Sequence, residues 1–320
     1  WEDHPQVLKC LVEQGITTVV GGNCGISPAP MTAAAIARTE VLATMVKAGP
    51  FEYRWASLDE YLAHIEKAGT IVNLAELVGH APMRYINSPV ARGDMPAADL
   101  EACLAGTRRA LAEGACGFSF GLGYDPGMYS SMEELEAFCK VAAQAEKPVT
   151  IHMKALSRLS PCYPLTSLSA HNVRALKETI LLAEKTGARL QLSHFIFVGR
   201  NSWSTADECL RLVAAARDRG LDIMIDAFPF TCGNTTILAP VPFWFLAKIP
   251  EAYHNAFLRA RLKLELALGF KLVGFGYQDF QVMDIAIDGY EALNGLYIPE
   301  IAGRWGCSPF QAMLRLAEES

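Results

Sequence analysis

The sequence predicts an α/β protein built on a parallel sheet, read as an incomplete (β/α)8 barrel of about six β-α units. Three observations predict it. Six continuous apolar runs recur along the chain, without the polar alternation of a half-solvated sheet. Amphipathic stretches with helix-capping signals lie between them. The turn after the first run lacks the G-x-G-x-x-G of a doubly wound dinucleotide fold. It carries Gly-Gly-Asn-Cys24-Gly ahead of prolines, which cannot open an amide nest for phosphate.

The runs cover 16–22, 71–79, 116–122, 148–154, 189–195 and 222–230. Ser57 with Glu60, and Ser131 with Glu134, have the capping-box spacing that opens a helix. Stretches 171–187 and 204–220 read as helices, each closed by a glycine suited to a left-handed cap. Segments 31–53 and 240–270 read as helical excursions. With no linker and no short-period repeat, residues 1–320 read as one barrel domain.

A chain of 320 residues with 51% hydrophobic content can bury a full core. A net charge of -6 and a pI near 5.7 argue against nucleic acid as a partner. The sequence shows no basic cluster for an anionic membrane surface, no apolar run long enough to span a bilayer and no basic-then-apolar leader. Nine cysteines, an odd number without a framework spacing, read as buried free thiols in a reducing cytoplasm.

In a barrel, the C-terminal ends of different strands converge on one mouth. Cys24, His152 and His194 each stand at such an end. Together they offer the thiolate and imidazole ligands that zinc prefers, with a position left for water. A water so bound is deprotonated near neutral pH and attacks a polarised amide carbonyl. Two other readings stand beside this one. Cys24 is a nucleophile with a histidine as base, although the sharp Gly-x-nucleophile-x-Gly elbow is missing. Or Cys24 is a small buried residue and the histidines are hydrogen-bonded core groups. His80, at the end of the second run, is a candidate contact at the mouth. Asp226 reads as a strand-end hydrogen-bonding residue, His64 as a helix-face residue, His171 as a helix start and Trp203 as loop packing. His4 and His254 carry no readable signal.

Several strings carry a resemblance. They are Gly22-Asn-Cys24-Gly-Ile-Ser-Pro-Ala-Pro30, Asn73-Leu-Ala-Glu-Leu-Val-Gly-His80 with Arg84, and Gly117-Phe-Ser-Phe-Gly-Leu-Gly-Tyr124-Asp-Pro-Gly-Met-Tyr129. Ile151-His152-Met, Ser193-His194 and Asp226-Ala-Phe-Pro-Phe-Thr231 follow in the same order. The chain resembles the D-aminoacylase family, N-acyl-D-amino-acid deacylases of the amidohydrolase superfamily, over nearly its whole length. The resemblance implies a TIM-type barrel of the metal-dependent hydrolase kind, with zinc held by Cys24, His152 and His194. The family lacks the fourth-strand lysine of many relatives, and the run 116–122 has none either.

The resemblance also sets expectations about what the chain does not contain. The family's first-strand His-x-His falls ahead of Trp1, its catalytic aspartate falls beyond Ser320, and its β-sandwich is missing. A barrel without two of its strands has two open edges and is expected to be poorly stable alone. The implied substrate is a small N-acyl compound, with Tyr124, Phe228, Asn234 and Lys154 as its contacts. Four positions depart from the family pattern. Phe228 and Phe230 stand where tyrosine is usual, which removes a phenol able to donate to an oxyanion. Ile196 stands where a carboxylate-binding lysine is frequent, and Lys154 where arginine is. The expected function is hydrolysis of a linear amide through a zinc-bound hydroxide. The alternative is an impaired or non-catalytic barrel that binds metal or ligand without turnover.

Overall fold

Six parallel strands follow one another across one sheet in chain order: β1 (Thr18–Gly21), β2 (Asn73–Gly79), β3 (Gly117–Gly121), β4 (Val149–His152), β5 (Leu190–Leu192) and β6 (Ile223–Ile225). The computed structural model describes residues 5–43, 52–89, 93–164, 169–283, 285 and 287–319. Each apolar run of the sequence contains one strand, and each strand is shorter than its run. The chain leaves the sheet early at the C-terminal edge, where it turns to build the mouth.

The strands alternate with helices α1 (Pro5–Glu13), α2 (Ala33–Ala43), α3 (Leu58–Ala68), α4 (His80–Asn87), α5 (Ala97–Ala112), α6 (Met132–Gln144), α7 (His171–Thr186) and α8 (Ala206–Asp218). Two caps form as the spacing predicts. The Ser57 and Ser131 hydroxyls accept from the amides of Glu60 and Glu134, each at 3.2 Å. Glu60 reaches back to the Ala56 amide. Glu134 does not reach back; its carboxylate turns into the protein. Gly187, left-handed at φ 66, closes α7 as expected. Of the excursion 31–53, α2 is a helix and residues 44–51 lie outside the described residues.

The sheet is curled. In a flat sheet β1 and β5 would stand about 19 Å apart, four strand spacings. Yet Asn23, two residues past β1, accepts a hydrogen bond from Ser193, the residue after β5. β3 is buried along its length, as a parallel strand covered on both faces must be. Its Phe118 and Phe120 pack on Phe138 of α6, with Phe118 and Phe138 stacked at 4.9 Å between centroids. All three are fully buried, and each such ring stabilises the fold by about 1.5–3 kcal/mol. Coverage fails at the outer strands. Val20 on β1 is 55% exposed, and Met224 and Ile225 on β6 are 48% and 41% exposed.

The contacts divide the chain into two compact units: Trp1–Phe197 with Ser204–Pro229, and Val198–Trp203 with Phe230–Ser320. The sheet belongs to the first. The second is helical: α9 (Phe243–Leu246), α10 (Glu251–His254), α11 (Ala256–Val273), α12 (Ile298–Trp305) and α13 (Pro309–Glu319). The excursion 240–270 is thus three helices. Asn255 caps the longest through its side-chain oxygen, 3.0 Å from the Leu258 amide. This unit has its own core around Phe245, Leu262, Leu266, Ile301 and Met313. Arg200 and Asp279 pair within it.

Two expectations need correction. Only Cys103, Cys139 and Cys209 are buried; Cys10 and Cys232 are exposed and the rest are intermediate, all as free thiols. A thiol at a strand end or in a turn takes its burial from the tertiary setting, which its neighbours in sequence do not specify. Trp203 does not pack its loop: it is 61% exposed. Among the described residues no helix is long and apolar enough to cross a membrane.

Candidate metal centre

The string after β1 folds as a bracket across the mouth. Gly79 donates its amide to the Ser27 hydroxyl, and Ala81 donates to the Gly25 carbonyl. The Ser119 hydroxyl on β3 donates to Gly22 O at 2.5 Å and accepts from Gly25 N at 3.0 Å. Gly25 sits at φ 73, and a side chain there would bring its Cβ to 2.5 Å from the Gly121 amide nitrogen. That close approach requires glycine.

The bracket carries Cys24 into the mouth beside the ends of β4 and β5. Cys24 Sγ lies 3.2 Å from His194 Nε2, and His152 Nδ1 lies 3.0 Å from the same nitrogen. The three donor atoms all fall within 4.8 Å of one another. A four-coordinate zinc, with Zn–S of about 2.3 Å and Zn–N of about 2.0–2.1 Å, holds such atoms about 3.3–3.6 Å apart. The donor set fits zinc: the two contacts to His194 need a shift of a few tenths of an ångström, and the Cys24–His152 separation is bounded at 4.8 Å. Among the described non-glycine residues, positive φ occurs at Cys24 (57°), His194 (37°) and Glu146 (56°). Two of these three are in the cluster, and strain of this kind concentrates at functional sites.

Electrostatics sort the readings of Cys24. Burial pushes its thiol up to about 11, aided by the Asp226 charge and opposed by the Tyr124 hydrogen bond. A nucleophilic cysteine needs the opposite shift; a cation at the cluster would supply it. Burial, then the neighbouring His194, pushes His152 down to about 3. Burial also lowers His194. Both rings are neutral at pH 7, the form that binds metal. His194 Nδ1 is buried without a hydrogen-bond partner, whereas ligating imidazoles usually donate that N–H. His194 is fixed through its backbone instead, its amide donating to Asp226 Oδ1 at 2.6 Å. Gln191 donates to the other Asp226 oxygen at 2.6 Å. Asp226 is thus the strand-end hydrogen-bonding residue the sequence suggested.

The expected substrate contacts divide. Tyr124 is at the cluster: its ring meets His152 at 5.0 Å between centroids and its hydroxyl donates to the Cys24 carbonyl. Burial holds its phenol well above the usual value. Lys154 follows β4, its ammonium 5.6 Å from the centre of the Tyr163 ring. Phe228 is half-buried in the loop after β6, and Asn234 is exposed in the second unit.

His80 differs from expectation. His80 is 1% exposed and packs on Phe118, Phe120 and Phe138, away from the mouth. Its Nε2 lies 2.8 Å from Glu134 Oε1, and Arg84, with no exposed surface, reaches both Glu134 oxygens at 3.0–3.1 Å. The Ser130 hydroxyl donates to Glu134 Oε1 at 3.1 Å. Burial raises the Glu134 carboxyl, but His80, Arg84 and Ser130 more than reverse it and leave it below its usual value. The capping-box spacing masked this network, because it accounted for Glu134 locally.

The curled six-stranded parallel sheet, with a Cys/His/His donor set at its C-terminal mouth, is a half-barrel whose structural neighbours are amidohydrolase barrels. Its homologues are D-aminoacylase and N-acyl-D-amino-acid deacylases. An N-acyl-D-glutamate deacylase from Alcaligenes xylosoxydans xylosoxydans is 30% identical over 97% of this chain and 53% of its own length. A D-aminoacylase from the same organism is 29% identical over 71% of this chain and 43% of its own length. The crystal structure of N-acyl-D-glutamate deacylase from Bordetella bronchiseptica, complexed with zinc and a phosphonate mimic of the tetrahedral intermediate, has a TM-score of 0.70 and 27% identity. It covers 96% of this chain and 54% of the relative. A D-aminoacylase crystal structure gives 0.69 and 26% over 95% of this chain and 54% of the relative. Another such structure, with the same scores and coverage, concerns a binuclear metal centre. No protein-family model matches the chain. The chain spans about half the length of the curated relatives it matches.

Proposed function

We propose that this chain carries the metal-holding part of a zinc-dependent deacylase that hydrolyses a linear N-acyl compound, an N-acyl-D-amino acid in the first instance. The observation that carries this is the convergence of Cys24, His152 and His194 from three separate strand ends. Cys24, His152 and His194 would hold the ion, which supplies a Lewis acid able to polarise an amide carbonyl and acidify a water. Tyr124 steadies the Cys24 backbone and walls the site beside His152. Lys154 is the cation beside the mouth available to a substrate carboxylate. Phe228, half-buried in the loop after β6, adds an apolar contact. Both units are read as parts of one catalytic domain, supported by a match to the deacylase that runs through 97% of the chain. The free cysteines support a reducing, cytoplasmic setting.

A second reading is a barrel that binds metal without turnover. Ile196, Phe228 and Phe230 favour it, since none offers a group to pair with a carboxylate or an oxyanion. Elemental analysis of the purified chain tests the first step. About one zinc per chain is expected in the wild type, with loss in Cys24→Ala and in His194→Ala. Retention of zinc in both variants refutes the assignment. Release of free amino acid from N-acyl-D-glutamate or N-acyl-D-aspartate then separates enzyme from silent homologue.

A further inference from the structure

The three donor side chains come from three different strand ends, beyond the last ladder bonds of β1 and β5. Backbone pairing alone does not fix their mutual distances. One side chain touches all three segments. Asn23, next to Cys24, accepts through Oδ1 from Thr150 Oγ1 at 2.6 Å and from Ser193 Oγ at 3.1 Å. Thr150 lies on β4, two residues before His152, and Ser193 immediately precedes His194. Both hydroxyls sit in buried residues, 7% and 0% exposed. A single amide oxygen therefore bridges the segments that carry the thiol and both imidazoles.

We propose that Asn23 is a positioning residue: its side-chain oxygen clasps the ends of β4 and β5 to the bracket after β1 and thereby sets the geometry of the metal centre. The inference rests on reading Cys24, His152 and His194 as that centre. The clasp bonds Thr150 and Ser193 rather than the donor side chains, so it acts through the backbone of each segment. Asn23→Leu keeps the shape and removes the acceptor, leaving two buried hydroxyls without a partner, which is destabilising in its own right. Asn23→Leu combined with Thr150→Val and Ser193→Ala removes those hydroxyls too. A merely structural role predicts that the triple variant recovers everything. A positioning role predicts that it recovers stability but not the metal site.

The experiment is titration of the chain with cobalt(II), followed by its visible absorption, with thermal melting in parallel. Asn23→Leu is expected to weaken cobalt binding about 10–100-fold, the range for groups that orient ligands from outside, and to reduce the intensity of the tetrahedral bands. Asn23→Asp, which retains an acceptor oxygen, is expected to restore both. The triple variant is expected to melt near the wild type while binding as weakly as Asn23→Leu. Should Asn23→Leu not fold, Ser193→Ala alone carries the test, with a smaller loss expected. Wild-type affinity and spectrum in the folded Asn23→Leu or Ser193→Ala variant, with binding lost in Cys24→Ala, overturns the clasp and leaves the metal centre standing. Wild-type binding in Cys24→Ala overturns the metal centre itself.

Discussion

Replacing Glu134 by alanine should damage the fold more than any exposed substitution, and the structure says by how much. The carboxylate takes four contacts of 2.8–3.1 Å from His80, Arg84 and Ser130. Arg84 has no exposed surface, and its Nε already lacks a partner. Glu134→Ala leaves a buried guanidinium without its counter-charge, a loss of about 3–5 kcal/mol. For a domain the size of the first unit that is a fall in melting temperature of about 6–20 °C. Arg84→Met with Glu134→Leu removes both charges together and should recover most of the loss. The sign with pH follows from the lowered carboxyl. Its contribution is present at neutral pH and disappears as the pH falls through its folded value, below the ordinary carboxylate range. Thermal and urea melts of the two variants between pH 3 and about 8 decide it. A Glu134→Ala protein within about 1 kcal/mol of wild type at pH 7 refutes the argument that the pair is dry and coupled.

Three further outcomes are expected. Burial raises the Glu76 carboxyl to about 8 against a hydrogen bond from Tyr61. Wild-type stability should therefore fall as the pH rises from the ordinary glutamate range to about 8, by about 3–5 kcal/mol in all. Glu76→Gln should flatten that dependence in urea melts taken across the window; an unchanged slope sinks it. A Cβ at Gly123 would stand 2.7 Å from His152 Nε2, so Gly123→Ala should displace that ring and lower zinc content while circular dichroism stays native. Phe118→Ala opens a cavity among Phe120, Phe138 and His80 and should cost about 3–5 kcal/mol by urea denaturation.

Much of the frame was legible because parallel strands covered on both faces are written as unbroken apolar runs. The six strands, the serine caps at 57 and 131 and the glycine cap at 187 all followed from local chemistry. The three donors were legible as strand-end residues of metal-binding type, and their convergence follows from curl. What was not legible arises between distant segments. Glu134 satisfied a local rule while its carboxylate served a buried arginine on another helix. His80 stood at a strand end but opened α4, which turned its ring toward the aromatic core. Asn23 gave no signal because its partners, Thr150 and Ser193, are remote in sequence and chemically ordinary.

The left-handed backbone at Cys24 and His194 sets protein durability and metal capture against each other at the same two positions. Glycine is at ease at φ 57 and 37, whereas a side chain there is held at a cost of about 1–3 kcal/mol. Cys24→Gly and His194→Gly should relax the backbone as they delete a ligand. A library of this chain selected only for resistance to heat or protease would drift toward glycine at both, and would lose metal as it hardened. A relative that had shed its chemistry would be free to follow the same path.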